Sequence, residues 1–478
     1  MTFTTANIGS SAGQPLATDH PTDCSRYVLP ASYLQRRFYA STATHCSNDN
    51  TVVLLRLIGE LDHAAVQDAV NVLVGRHESL RTNLREVEAT VVQVVASCVE
   101  LCIDQVPARQ KPQRHRSRRL EQAIVEQASR QFNLAHDRLI HATLMNVGAS
   151  DHILILVMSH AVCDAWSGMI LTREFCQCYE DAANGVAPRL KPLPVQFGDY
   201  AAWENSVTDP AAEAYWRAEL NRPTRRVRLP YTARPDTQAG FSPWPCLTPP
   251  VPPAVVRALV RLARSECATL AMGLQAAVIS ALVPFASGLV EVGVLDANRG
   301  SADLQAIVGC LFDIVPLRVE VSGDVTAREM IGRVREASLC AQSNRIPLGA
   351  LHQLSETEEE GQAQSAYEVT INIIPSAVQD LRPRRVMTRS GTLEIRPQAF
   401  RYEQLVLTAD WSYIGQVLEF GFTMDRTGWL LGAVEGNVRV LAVETLGAIA
   451  ERLPRLLRAM VLHPDSPLDS LLSARVAA

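Results

Sequence analysis

The segment ILILVMSHAVCDAWSG, residues 153–168, decides how this chain is read. Its uninterrupted apolar run, Ile153 to Met158, predicts a buried strand. The run stops at Ser159-His160, and Asp164 follows before a helix predicted over 166–183. A histidine at a strand end, with a carboxylate one tight turn later, can present an oriented imidazole into a cleft. Histidine is also the side chain whose ordinary pKa lies nearest neutrality, which suits proton transfer. An H-x-x-x-D match by itself arises easily by chance in a long chain, so the surrounding sequence has to carry the reading.

Working outward, strands and helices alternate twice. TVVLLRLIG (51–59) and ATVVQVVAS are strand-like, Asp62 is placed to N-cap the helix HAAVQDAVNVLVGRH, and a charged helix is predicted around 116–133. LIHATLMNV and HILILVMSH predict two further strands. A short helical piece over 197–220 lies between two proline-bearing stretches. Next come helices at 253–265 and 268–283, the strands VEVGVLDAN and IVPLRVEV, a helix at 326–342, three strands (YEVTINIIP, LVLTADWSY and VLEFGFTMD) and a helical segment at 434–462. The expected architecture is α/β: a polar, disordered leader at 1–26, an N-terminal lobe at 27–190 carrying S-H-x-x-x-D, an inter-lobe connection at 191–252, and a C-terminal lobe at 253–478. The working cleft is expected between the lobes.

With 478 residues, 47% of them hydrophobic, the chain has enough apolar sequence for more than one core. A net charge of −5 gives no reason to expect nucleic acid or an anionic membrane as a partner. Two basic clusters, Lys111/Arg114/Arg116/Arg118/Arg119 and Arg222/Arg225/Arg226/Arg228, read first as solvated faces and second as docking sites for an acidic partner protein. Eleven cysteines without C-x-x-C spacing predict buried free thiols in a reducing cytoplasm, and no metal site. The N-terminus lacks the basic and apolar regions of a signal peptide. The uncharged stretch 267–290 is interrupted by Gln275, Ser280, Pro284, Ser287 and Gly288, and reads as a buried helix leading into a strand rather than a membrane span.

Several short motifs occur in a fixed order. They are Leu29-Pro30-Ala31-Ser32-Tyr33-Leu34-Gln35; Arg76-His77-Glu78-Ser79-Leu80-Arg81-Thr82; Ser159-His160-Ala161-Val162-Cys163-Asp164-Ala165; Asp199-Tyr200-Ala201-Ala202-Trp203; Asn298-Arg299; and the run Val308 to Arg318. Together they resemble the motifs of a free-standing condensation domain of nonribosomal peptide synthesis, within the chloramphenicol-acetyltransferase-like superfamily. The family pattern H-H-x-x-x-D-G is matched with two departures, Ser159 and Ala165. The resemblance implies two lobes in a V around a central tunnel. It implies His160 as the catalytic histidine, Asp164 as a structural carboxylate paired with Arg299 of the other lobe, and Ser159 as a supporting residue.

The resemblance further implies an acyl group delivered as a thioester on the phosphopantetheine arm of an acyl or peptidyl carrier protein, with no cofactor of the chain's own. The acceptor would be an amine or hydroxyl, free or carrier-bound, giving an amide or an ester, with chain release an option. A monomer in the cytoplasm is expected. Three rivals stay open: a coenzyme-A-dependent O- or N-acyltransferase, an epimerisation domain, and a non-catalytic platform that recruits carrier protein. Arg76–Thr82 read as helix-capping and surface-pairing residues, and Asp199, Tyr200 and Trp203 as packing at a lobe junction. His77, His152 and His352 read as structural because no carboxylate lies at useful sequence spacing. Cys163 is set aside as a nucleophile because it sits inside the turn.

Overall fold

The strand anticipated at Ile153–Met158 runs from Asp151 to Ser159 inside a six-stranded sheet, between Asn50–Gly59 and Ile140–Gly148, antiparallel to both. This is a computed structural model, and it describes residues 14–15, 26–41, 46–47, 49–107, 116–223, 227–232, 243–286, 288–355, 367–374, 382–389, 391–398 and 417–473. The apolar run is explained by burial on both faces of the strand. Leu154, Leu156 and Met158 enter the core beneath the helices His63–Arg76 and Ala165–Ala183. Ile153, Ile155 and Val157 enter a second core on the opposite face, shared with Phe38, Ile314 and Tyr367. All six side chains are essentially inaccessible, each contributing about 1.5–3 kcal/mol relative to exposure.

A second six-stranded mixed sheet is built mainly from the other half of the chain. Its order is Pro243–Leu247, Leu430–Asn437, Leu418–Met424, Val369–Ile374, Gly288–Asp296, Asp313–Val321. The helices Pro253–Ser265, Leu270–Leu282, Ala327–Ser343 and Val443–Leu462 cover one face of it through a large aliphatic core. Two helix-flanked mixed sheets are thus the architecture anticipated from the sequence. Gly273 to Leu282 are buried in this core, as expected for a core helix. Among the described residues no single helix is long and apolar enough to cross a membrane; only the pair Pro253–Ser265 and Leu270–Phe285 passes that test jointly, bent by 99°.

The structure corrects several boundaries. Arg384–Thr388 and Gly391–Pro397, assigned by position to the C-terminal lobe, pair with each other as antiparallel strands, and the second pairs with Asn50–Gly59 and extends the first sheet. Their inward residues Val386, Leu393 and Ile395 fill that sheet's core, which offers the open edge such a strand pair needs. The helical segment expected at 434–462 begins only at Val443; Leu430–Asn437 is a strand held between two others, with Gly436 packed closely under Leu446. The piece at 197–220 is two helices, Phe197–Ser206 and Pro210–Leu220, separated where Asp209 caps and Pro210 opens the second. A strand at Thr82–Val87, not anticipated, joins Thr90–Ala96 through Glu88 and Ala89, both at positive φ. That turn carries none of the Asn or Gly residues that usually announce it.

The thiol expectation also needs correction. Cys98 is disulfide-bonded, and Cys102, Cys267 and Cys340 are exposed, while Cys163, Cys176, Cys178 and Cys310 are buried and free. Most of the anticipated leader, the strand LVLTADWSY, and Lys111, Arg114, Arg225 and Arg226 lie outside the described residues.

Candidate functional site

His160 follows the last residue of its strand, and the register pairs that residue, Ser159, with Asn50. The His160 backbone N–H continues the ladder by one bond, donating to the Asp49 carbonyl at 2.9 Å. The ring is half-buried. It stacks on Phe38 (centroids 5.7 Å apart) and meets Phe312 edge-on at 5.3 Å. Nδ1 lies 3.7 Å from the Cys310 sulfur. Phe38 belongs to the helix Tyr33–Ala40, capped by Ser32 and Gln35, and the Gln35 amide donates to the Ala161 carbonyl inside the histidine turn. Phe312 and Cys310 come from the second half of the chain. The imidazole therefore stands between elements of both lobes, with one apolar wall from each.

Asp164 faces away from that ring. It N-caps the helix Ala165–Ala183, accepting from the Ser167 N–H (2.8 Å) and hydroxyl (2.6 Å). The Arg299 guanidinium donates to both carboxylate oxygens at 2.9–3.0 Å, and the Leu311 N–H donates at 3.1 Å. Arg299 also donates to the Leu304 and Ile307 carbonyls, so one buried cation holds the whole loop 299–311 against the first lobe. Ser167 adds a reciprocal pair with Gly309. Burial alone would push the Asp164 carboxyl up, but Arg299 and the Ser167 donors outweigh it and hold the group below the ordinary carboxylate range. The Asp164–Arg299 contact expected from motif position is thus present, and it fixes where Cys310 and Phe312 meet His160.

The two departures from the motif sit quietly. Ser159 is buried, its hydroxyl accepting from the Ala161 N–H at 3.4 Å. Ala165 is the exposed first residue of its helix and is not among the residues at positive φ, so its methyl group incurs no backbone strain. Cys163 is fully buried and its thiol is pushed well up, which removes it as a nucleophile. Cys310 is raised likewise by burial, so the group beside His160 is a thiol and not a thiolate.

Sequence reasoning missed Phe38, Cys310 and Phe312 as the surroundings of the ring, although the last two lie inside the quoted run Val308 to Arg318. It also misplaced Arg76 and His77, which are not surface groups: both engage Glu174 of the helix Ala165–Ala183, His77 through Nε2 at 2.7 Å. Their helix packs against that one, bringing a carboxylate that sequence spacing does not reveal. Tyr200 does bridge the lobes, accepting from Asn298 at 2.8 Å and donating to Glu204 at 3.0 Å. A cleft of about 240 Å³ opens beside it, lined by Trp203, Asn298, Asp313 and Arg345 among others. An apolar cleft of about 440 Å³ lies in the second lobe, between Leu270, Leu295, Val315, Ile374 and Phe422.

Comparison with known proteins bears on the family and the fold. The family model described as "Condensation domain" matches residues 25–405. Isonitrile lipopeptide synthase of Mycobacterium tuberculosis is 30% identical over 98% of this chain, and the dimodular nonribosomal peptide synthase of Bacillus subtilis is 27% identical over 93%. The matched regions are 19% and 18% of those proteins, so the chain spans only a small part of the curated relatives' length. Among solved structures, the X-domain from teicoplanin biosynthesis superposes with a TM-score of 0.79 at 22% identity, covering 95% of this chain and 98% of that one. The same domain in complex with OxyB gives 0.77 at 22% identity, covering 97% and 99%. The first condensation domain of the calcium-dependent antibiotic synthetase gives 0.71 at 18% identity, covering 93% and 98%.

Proposed function

This chain belongs to the condensation-domain family, and on that premise we propose that it transfers an acyl group from a carrier-protein thioester to an amine or hydroxyl acceptor, with His160 as the base. The observation that carries the reading is the half-exposed imidazole at the lobe junction, walled by Phe38 and Phe312 and backed by the Asp164–Arg299 lock. With its proton on Nδ1, facing the Cys310 sulfur, the ring keeps a lone pair on Nε2 for the acceptor. The acceptor's nitrogen or oxygen bonds to the thioester carbonyl carbon and its proton passes to Nε2. The C–S bond then breaks, and the leaving thiolate takes that proton up. The apolar walls exclude water that would otherwise hydrolyse the thioester. Asp164, Arg299 and Ser159 serve as positioning residues. The phosphopantetheine arm arrives as part of the donor substrate, from a partner acyl or peptidyl carrier protein, and work on such donors places the protein in the cytoplasm.

The test loads a carrier protein with an acyl thioester, offers amine and alcohol acceptors, and follows product by intact mass. Wild type is expected to form product, and His160→Ala to lose at least about 100-fold in rate, the usual contribution of a general base. Equal rates for the two proteins would overturn the assignment of His160, and no transfer by wild type would overturn the enzymatic reading. A recruitment platform is the second reading, favoured by the fold's likeness to a domain solved in complex with OxyB; carrier-protein binding without transfer would select it. Acyl-coenzyme A replaces the carrier-bound donor in a parallel reaction to separate those two donors.

A further inference from the structure

The sheet face turned away from the second lobe's aliphatic core carries two glutamates side by side. Glu419 and Glu435 are directly opposed across adjacent antiparallel strands, 1% and 2% exposed. Their strand neighbours Phe420 and Val434 point into the core instead. Glu419 accepts from the Asn372 amide at 3.1 Å. Glu435 differs: among the described residues neither of its carboxylate oxygens has a hydrogen-bond partner. The charges acting on it are those of Glu419 and Asp49, and no Arg, Lys or His offsets them among the described residues. A buried carboxyl with both oxygens idle beside two further carboxylates is costly unless something else pairs with it. Asp49 locates this group relative to the reaction. Its carbonyl receives the His160 N–H, and its charge acts on both Cys310, which touches the imidazole, and Glu435.

We infer that Glu435 seats a protonated amine carried by the acceptor substrate, a basic group other than the attacking one. The attacking nitrogen or oxygen needs a free lone pair at His160, so a cation held at Glu435 is a second group on the same molecule. Burial and the two neighbouring carboxylates push the empty Glu435 carboxyl well up, towards its neutral form. An incoming ammonium supplies the compensating charge, Glu435 ionises, and its proton leaves to buffer. The inference rests on the acyl-transfer reading only in calling the ligand an acceptor.

The experiment titrates the full chain with 2-phenylethylamine and, as the neutral match, 2-phenylethanol, by calorimetry near pH 7 in two buffers of different ionisation heat. Wild type is expected to bind the amine at least tenfold more tightly, releasing about one proton for each amine bound and none for the alcohol. Glu435→Gln, the same shape without the charge, is expected to bring the preference below threefold and to leave alcohol binding unchanged. His160→Ala is expected to keep the preference. Equal binding of the two ligands, amine binding without proton release, or an undiminished preference in Glu435→Gln would each overturn the inference. The proton-release measurement needs only wild type, so it decides the matter even if the variant does not fold. Selective amine binding in a protein that transfers nothing would sink the acyl-transfer reading and leave this one standing.

Discussion

Replacing Arg299 by alanine isolates what the lock between the lobes contributes. The side chains of Arg299 and Asp164 are 2% and 6% exposed, at 2.9 Å. Breaking a buried pair by deleting one partner costs about 3–5 kcal/mol, because the survivor is left as an uncompensated charge. Asp164 would keep the two Ser167 donors and the Leu311 N–H, which places the loss near about 3 kcal/mol. The Leu304 and Ile307 carbonyls would also lose their donor, at about 1 kcal/mol each, for a total of about 5 kcal/mol. Urea unfolding followed by circular dichroism should register that loss, and the transfer assay should show a fall of at least tenfold because the loop carrying Cys310 and Phe312 is released. The pH dependence sharpens the case. In wild type the Asp164 carboxyl lies below its ordinary 3.8, so its stabilisation is complete above that pH and is lost as pH falls through the lower native value. Without Arg299 the buried carboxyl rises instead, and the variant recovers stability relative to wild type as pH drops from 7 towards 4. A variant losing less than about 1 kcal/mol, with transfer intact and a gap that does not narrow in acid, would refute the reasoning.

Two other perturbations test packing and buried charge. Gly309→Ala places a Cβ 2.1 Å from the Phe197 ring, and is expected to cost about 1–3 kcal/mol in urea unfolding through forced repacking, with transfer reduced because Gly309 precedes Cys310. Burial, joined by the Asp313 charge, pushes the Glu204 carboxyl up to about 7 against the Tyr33 N–H and the Tyr200 hydroxyl. Between 4.5 and about 7 the folded protein holds a proton that the unfolded chain releases, so this group makes stability fall as pH rises, by at most about 1.4 kcal/mol per unit. Glu204→Gln should make that decline shallower without abolishing it, since Asp313, pushed up to about 6, contributes in the same direction; an unchanged slope in unfolding measured from pH 4.5 to 8 would count against the assignment.

What the sequence disclosed follows from which interactions are local. The strand Asp151–Ser159, the cap at Asp62 and the helix after Asp164 were legible because apolar runs and capping side chains act within a few residues. The pairing of Asp164 with Arg299, 135 positions apart, was reached only through motif order and not through any physical signal in the chain. Three kinds of feature stayed hidden. The strand pair Arg384–Thr388 and Gly391–Pro397 joins a sheet whose other strands lie far upstream, and nothing in either segment states which edge it will extend. Glu174 reaches His77 only because two helices pack face to face. Leu430–Asn437 carries glycines that weaken a helix and suit a close approach of Leu446, yet its apolar content fits either structure until its neighbours are known.

The geometry separates two jobs that a single H-x-x-x-D pattern carries. If Asp164 were an orienter of the imidazole, its carboxylate would face the ring; instead both oxygens are occupied by Ser167, Arg299 and Leu311, and the ring is placed by a backbone bond to Asp49 and by its two phenyl walls. The departures at Ser159 and Ala165 leave both arrangements in place: the Ser159 hydroxyl closes the turn that carries His160, and the Ala165 methyl group sits on an exposed helix start. A chain that served solely for docking would have no use for a half-open imidazole between two apolar walls, whereas the buried ion pair behind it holds the lobes together in either role. The imidazole's two walls are intact here despite the departures from the motif, and that is the feature on which the proposed transfer chemistry rests.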